Sequence, residues 1–484
     1  MGSSPIPGVF FDHMAAKIEP KTLKGFRDIP PGEVLAREKI INTIKEVYES
    51  YGFSPLATPA LEYKETLLGY GEEASKQIYL FRDQDGNDVG LRFDLTVPLC
   101  RYVSAHKELP RPFKRYQIQP VWRYDKPDPG RFREFLQFDI DTVGSASMAA
   151  DAEIISAMHD SLEKLGLKFK IRFSNRKVLN SLLKYAGIAE KMAHSVFRVM
   201  DKLEKQALEA VKLELGPGRI DSSGDKIKGL GFKSEQIQRI EEFLSLSQNT
   251  RKEALGSVKS LFKNLSGAEE GIRELEEIDD CLTALRISDE KASIDLSIAR
   301  GLDYYTGPVF EAILLDARDY GSVMGGGRYD DLIEKFTGES IPATGVSMGI
   351  DRLFSALQSL NLTDSKLSTA EVLVTVMVKE KLNEYQKTAK QLREAGFKTE
   401  LYVGSENSIG NQLKYADKLL IPVAVIMGKK EFESGQVSIK DLDYIRKAEV
   451  NVPDRGSWLE QRAGQKTIPA SELVSEIRRI LGRS

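Results

Sequence analysis

Cysteine and histidine are scarce in this chain, with two of the first and four of the second in 484 residues. Cys100 and Cys281 lie far apart, no CxxC occurs, and both thiols sit beside apolar neighbours, so both read as buried. A disulfide framework or a thiolate zinc site is therefore not expected, and a reducing compartment fits. His13, His106, His159 and His194 form neither HxH nor HExxH, which argues against a histidine-based metal site and leaves any metal ligand unassigned. No apolar run reaches the roughly 18 residues that suggest a membrane span. The formal net charge of −3 speaks against a histone-like grip on nucleic acid but leaves room for one local basic patch. The phosphate loop GxxxxGK[ST] is missing and no GxGxxG opens a helix, so neither a P-loop ATPase nor a Rossmann dehydrogenase is supported. Residues 1–14 lack the basic and apolar regions of a secretion signal, and residues 1–19 read as an added leader or a native tail.

What is present is a globular composition, 41% apolar and 29% charged, in a chain long enough for roughly two to four domains. Three phrases carry most of the chemistry: Leu91–Thr96, Val121–Arg123 and Phe135–Asp141. Read as strands, they put side chains two apart on one face. Arg92, Asp94 and Thr96 then oppose Leu91, Phe93 and Leu95, while Gln137, Asp139 and Asp141 oppose Leu136, Phe138 and Ile140. A sheet face of carboxylates, amides and guanidinium is a poor core and a good floor for a ligand carrying both charges. Asp94, Gln137 and Asp141 suit an amino acid that is cationic at two places, or a general acid–base pair of the glycosidase kind; the arginines nearby favour phosphate. Arg123 leads into a loop of turn residues and charge, Tyr124–Arg131. There it can grip a phosphate through two donors or form a surface salt bridge. Arg352 falls in the first turn of a helix after Gly349, where a cation opposes the macrodipole unless an anion is bound. Arg300–Gly307 joins two strands with a cation, a turn and two adjacent tyrosines, Tyr304 and Tyr305. On extended backbone the two rings point opposite ways, so one packs while the other meets a ligand. Gly325-Gly326-Gly327 lets backbone approach a flat ligand closely.

Around these phrases the chain is organised as follows. Ile40, Ile41, Ile44, Val47 and Tyr48 mark an amphipathic helix closed by Gly52. Phe53–Leu61 reads as a strand holding Pro55 and Pro59, prolines that belong at an edge, often where another chain packs. A helix follows near Met148–Leu165. From about 176 to 285 the chain is rich in Lys, Glu, Leu and Ser at helical spacing, a mostly helical insertion whose charge is solvated surface or a clamp on a polyanion. Strand signals return at Ala292–Ala299 and Val309–Leu315, and a helix with Ile350, Leu353, Phe354 and Leu357 follows Gly349. After a polar linker, strands at Val372–Val378, Thr399–Val403 and Val423–Met427 alternate with helices, which implies a small parallel or mixed α/β domain. The fold class is α+β, with boundaries at 20–175, 176–288, 289–362 and 370–484.

Taken in order, the phrases resemble the motifs of class II aminoacyl-tRNA synthetases, and within them the histidyl-tRNA synthetase family. Phe53–Leu61 looks like motif 1, the dimer strand; Tyr116–Asp141 like motif 2 with its Arg123; Gly345–Leu353 like motif 3 with Arg352. Arg300–Gly307 and Gly325–Tyr329 look like the two signatures of the histidine branch. The likeness spans about residues 20–480. It implies an antiparallel-sheet catalytic core with a helical insertion and a C-terminal α/β anticodon-binding domain. It implies L-histidine, ATP with substrate-associated Mg2+, and tRNA(His) as ligands, in a cytoplasmic homodimer, a mitochondrial pool being left open. Asp94, Thr96 and Gln137 would bind the α-amino group; Asp141 and Tyr305 would face the imidazole, with Tyr304 in support. Arg123 would hold the α-phosphate and carboxylate, Arg300 would reach the α-phosphate where other members place a metal, and Arg352 would hold the tail phosphates of a bent ATP. The loop Tyr124–Arg131 and the insertion would meet the acceptor end and stem. The tail would read the anticodon, with Lys414, Lys418, Lys429 and Lys430 on the RNA backbone. Asp94-Leu95-Thr96 stands where bacterial members commonly carry Glu-Gly-Thr, so the resemblance implies a eukaryotic or archaeal-like form. Two other classes stay open. A catalytically silent relative, such as a regulatory subunit of ATP phosphoribosyltransferase or an amino-acid sensor domain, commonly loses the motif arginines that are kept here. A carboxylate-pair hydrolase leaves those arginines unexplained.

Overall fold

The computed structural model describes residues 18–68, 75–128, 130–204, 206–220, 224–246, 248–265, 267–298, 304–363, 366–405, 408–449 and 464–483. The segment expected to be a leader or tail, up to residue 17, and Arg300 within 299–303 lie outside them. The chain divides into two units, Met1–Asp28 with Glu46–Leu360 and Ile29–Lys45 with Asn361–Ser484. The Pro31–Ser50 helix runs across that division.

The first unit is built on an eight-stranded sheet. From edge to edge its strands are Ser54–Pro55, Phe113–Trp122, Glu134–Val143, Ala343–Gly349, Ser322–Arg328, Pro308–Leu314, Phe169–Asn175 and Ala292–Ile294. The six central strands are antiparallel, and each edge strand pairs parallel. Alternation along these strands makes two unlike faces. Tyr116, Phe138, Ile140, Val346, Met348, Phe310, Ile171 and Phe173 are buried, and the Met148–Lys164 helix packs against this sheet with Glu269–Ala284 alongside it. That helix starts where Ser147 accepts the N–H of Ala149 and presents Ile154, Ile155, Met158 and Leu162 to the core. On the opposite face the register sets Gln117, Asp139, Ser347, Gly325, Glu311 and Arg172 side by side, and beside them Arg115, Asp141, Gly345 and Gly327.

Several expectations need correction. Leu91–Thr96 is not a strand: pairing covers Asp88–Leu91 only, and a helix begins at Thr96 and runs to Ala105. Asp94 causes the change by accepting the N–H of Val97 at 3.0 Å, a side-chain cap on the first turn. Arg92 therefore leaves the polar floor. It is buried and donates to the carbonyls of Thr58 and Pro120 at 2.7 and 2.9 Å, stitching the segment after the first edge strand. In Phe53–Leu61 only Ser54–Pro55 pairs into the large sheet. The chain then enters a separate three-stranded sheet of Leu61–Tyr63, Asp88–Leu91 and Leu80–Arg82. Of the strand expected over Ala292–Ala299, Ala292–Ile294 forms and 295–298 do not pair, while Ala299 lies outside the described residues. Cys100 is buried as expected, whereas Cys281 is only partly buried on its helix.

The second unit holds a five-stranded sheet in the order Thr399–Leu401, Val372–Val374, Val423–Ile426, Gln436–Asp441, Gln465–Pro469. Its first three strands are parallel and its last two antiparallel. The two antiparallel strands have no counterpart among the expected elements.

Candidate active site

A cavity of about 380 Å3 opens over the polar face of the large sheet. Asp94, Thr96, Arg123, Gln137, Asp141, Tyr304, Tyr305 and Arg352 all line it. Eight of the nine residues singled out from the sequence thus share one cavity; the ninth, Arg300, lies outside the described residues. The alternation in Glu134–Val143 accounts for Gln137, Asp139 and Asp141, and the end of Phe113–Trp122 delivers Arg123.

The floor is charged and almost dry. Asp141 is buried and pairs with the fully buried Arg115, oxygen to nitrogen 2.6 Å. Tyr329 donates its O–H to the other oxygen of Asp141. Burial raises the Asp141 carboxyl, with Arg115 acting against the rise. Asp94 is likewise raised by burial and opposed by its backbone hydrogen bond to Val97 and by Arg123. Asp139 is pushed up to about 7, chiefly by burial, with Arg115 opposing and Asp141 adding to the rise. It accepts from Ser347 Oγ at 2.6 Å, and Ser347 in turn accepts from the Gln137 amide nitrogen. Burial also raises Tyr305, so its phenol keeps its proton.

The cations are fixed as firmly. Arg123 donates from Nε to the Phe93 carbonyl at 3.0 Å, and its guanidinium lies 4.2 Å from the Phe93 ring centroid and 5.2 Å from that of Phe135. Arg352 donates to the Ser322 carbonyl at 2.7 Å. Its neighbour Asp351 accepts the Leu136 N–H at 2.7 Å and the Arg27 guanidinium at 3.2 Å. A guanidinium held on aromatic faces and carbonyls is preorganised for an anion.

Tyr304 and Tyr305 both line the cavity, their ring centroids 4.9 Å apart, rather than pointing opposite ways. Tyr304 itself lies in a turn and Tyr305 in unpaired chain ahead of the Pro308–Leu314 strand, so the alternation of an extended segment does not apply to them. The glycines also differ from expectation. A Cβ on Gly345 would lie 2.0 Å from the Asp141 carboxylate, one on Gly326 2.0 Å from the Gly345 carbonyl, and one on Gly327 3.0 Å from the Tyr305 ring. At these three, protein groups approach too closely for a side chain; a Cβ on Gly325 would meet only Ser322 Oγ, at 3.9 Å. In the loop, Asp125, Gly130 and Arg131 reach the cavity, and Tyr124 is held under the Arg133 guanidinium at 3.9 Å. Lys414, Lys418, Lys429 and Lys430 are exposed on the second unit.

Sequence reasoning assigned no role to Arg115, Tyr329, Ser347 or Asp351. The alternation Arg115-Tyr116-Gln117-Ile118-Gln119 carried a signal for the first. Ser347 becomes visible only once strand register is known, and Tyr329 and Asp351 only through their contacts with Asp141, Leu136 and Arg27.

The family model described as histidyl-tRNA synthetase matches residues 25–353, and that described as anticodon binding domain matches 371–479. The histidine–tRNA ligase of Paracoccus denitrificans is 42% identical over 484 residues, covering 96% of this chain and 97% of that protein. That of Caulobacter vibrioides is 40% identical, covering 96% and 97%. The crystal structure of histidyl-tRNA synthetase from Nostoc sp. PCC 7120 superposes with a TM-score of 0.78 at 33% identity, over 96% of this chain and all of that one. These relatives are bacterial, which overturns the eukaryotic or archaeal reading of Asp94-Leu95-Thr96. In this chain the Asp94 carboxylate accepts the Val97 N–H.

Proposed function

This chain belongs to the histidyl-tRNA synthetase family and is an aminoacyl-tRNA ligase, and from that premise we propose a role for each part of its cavity. The reaction activates L-histidine with ATP to histidyl-adenylate, releasing pyrophosphate, and passes histidine to the 3′ end of tRNA(His). Asp94, Thr96 and Gln137 bind the α-ammonium; Asp141 and Tyr305 meet the imidazole, with Tyr304 behind them. Arg123 spans the carboxylate and α-phosphate, Arg300 joins it there, and Arg352 takes the outer phosphates.

The observation that carries this reading is one cavity lined by carboxylates and by fixed guanidinium groups together. In-line attack of the histidine carboxylate on the α-phosphorus develops charge on the equatorial oxygens, which preorganised arginines stabilise. No protein nucleophile is required; alignment of the two substrates supplies much of the rate. Mg2+ arrives with the nucleotide as part of the substrate. Among the described residues no group of three or more His, Cys, Asp and Glu is placed to hold a metal.

The partners follow. Leu61, Tyr63 and Phe81 are exposed large apolar groups on the three-stranded sheet. With the proline-bearing edge strand beside it, this surface suits a second copy of the chain, hence a homodimer. The loop Tyr124–Arg131 and the insertion 176–288 contact the acceptor arm of tRNA, and the tail 370–484 reads the anticodon. Among the described residues no helix is long and apolar enough to cross a membrane, in keeping with action in the cytoplasm. Histidine-dependent ATP–pyrophosphate exchange tests the assignment. Robust exchange with histidine and none with other amino acids is expected; a folded protein showing no exchange would sink it in favour of a silent relative.

A further inference from the structure

We propose that Ser347 and Asp139 act as positioning residues that set the direction of the Gln137 amide, and thereby how tightly the α-ammonium of histidine is held. The inference rests on the reading of Gln137 as an ammonium ligand and adds to it the device that aims its oxygen.

A serine hydroxyl has one proton to give. Ser347 gives it to Asp139 at 2.6 Å, so its oxygen can only accept from the Gln137 side chain it touches. That fixes the amide: its NH2 points to Ser347 and its oxygen points away. Gln137 lines the cavity, and among the described residues its buried Oε1 has no hydrogen-bond partner. A buried acceptor without a donor is unfavourable until one arrives, and an ammonium is a charged donor. The residue opposite Ser347 on the next strand is Gly325, which has no side chain to crowd this row.

The direction of the relay depends on the charge of Asp139. A protonated Asp139 would donate to Ser347, Ser347 would donate to Gln137, and the amide would turn its NH2 outward, toward a like-charged ammonium. Asp139 is buried and faces Arg115 on the neighbouring strand, Asp141 on its own, Asp94 before its helix, Arg123 and Tyr305 at the cavity, and Tyr48 from the other side of the sheet. Burial and the two neighbouring aspartates outweigh Arg115 and bring its titration to about 7. The relay therefore reverses near neutral pH, and histidine binding weakens on acidification.

The test is the pH dependence of KM for histidine and of kcat, by ATP–pyrophosphate exchange, in the wild type, Ser347→Ala, Ser347→Thr, Asp139→Asn and Gln137→Ala. The titration of free histidine itself is common to all five proteins and cancels in the comparison. In the wild type KM should rise about tenfold from about pH 8 to about pH 6 beyond that common part, with kcat changing less. Ser347→Ala and Asp139→Asn should lose the excess dependence, Ser347→Ala with KM raised about fivefold at pH 8, and Ser347→Thr should keep it. A Ser347→Ala protein with the wild-type profile and KM would overturn the relay. An unchanged KM in Gln137→Ala would instead remove the ammonium reading beneath it, so the two failures are distinguishable.

Discussion

The two sheets of this chain bury opposite things. In the second unit Val372, Val374, Val423, Val425, Val437 and Ile439 form one apolar cluster, and Leu373 and Ala424 pack into another. The central strands Val372–Val374 and Val423–Ile426 are buried throughout. The large sheet covers one face in the same way, but its other face buries Arg115, Asp139 and Asp141. Taking charge out of water is costly unless it is paired, and even pairing seldom makes it a net gain over hydrocarbon. The tail sheet is organised for stability; the cavity floor gives up stability to present charges that a ligand completes. That difference predicts which substitutions change folding and which change chemistry.

The largest effect is expected at Asp139. Its folded-state value is raised from 3.8 to about 7. The stability it contributes is therefore fully present below about pH 4 and is lost as pH rises through about 7, a difference of at most roughly 4 kcal/mol. Asp139→Asn cannot ionise, so it should be more stable than the wild type at pH 8, with the gap closing toward pH 4. Urea unfolding of both proteins across this range measures it. A gap that does not vary with pH would mean the floor carries no such penalty. Next comes Arg123→Ala, and Arg300→Ala with it. Each should lower histidine-dependent exchange at least about 100-fold, equivalent to about 2.7 kcal/mol of transition-state stabilisation, without lowering the unfolding midpoint. Near-wild-type exchange in either would end that residue's role.

Much of this contrast was legible in the sequence. The tail reads clearly because runs such as Val423–Ile426 need only be apolar to be strands, whatever they pair with. Its last two strands were missed: Gln436-Val-Ser-Ile-Lys-Asp has the alternation of a strand but is short and polar on one side. In the catalytic unit, period-two alternation found Gln137, Asp139 and Asp141 correctly. It failed at Leu91–Thr96, where the same alternation hid a capped helix start, because Asp94 satisfies the Val97 N–H locally. The partners of the site residues were beyond reach for another reason. Arg115 faces Asp141, and Ser347 faces Asp139, only through strand register. Register joins residues more than 200 apart in the second case, and no local pattern encodes it.

A gentler probe belongs to the tail. Ile439→Val removes one methylene from a site with 1% exposure, which should cost the tail about 1 kcal/mol of stability. Histidine-dependent exchange should stay at the wild-type level, since no atom of the cavity is touched. A parallel loss of exchange would show that the two sheets are not independent in the way their interiors suggest.

The smallest effect sharpens the comparison from within the catalytic unit. Asp351 is buried and has partners for both oxygens, the Leu136 N–H and Arg27. It ties the start of the Glu134–Val143 strand to the first turn of the helix that carries Arg352, where a carboxylate also suits the helix dipole. Arg27 is the replaceable member of this tie: its side chain is 30% exposed and also lies over the Phe132 ring. Such a half-open pair contributes about 1 kcal/mol or less. Removing it should act through the placement of Arg352, so Arg27→Ala should raise KM for ATP about threefold and leave KM for histidine unchanged. Steady-state exchange with each substrate varied in turn separates the two. An equal rise for both substrates would place Arg27 in the general stability of the unit, and the distinction between charges that support and charges that bind would lose its clearest case.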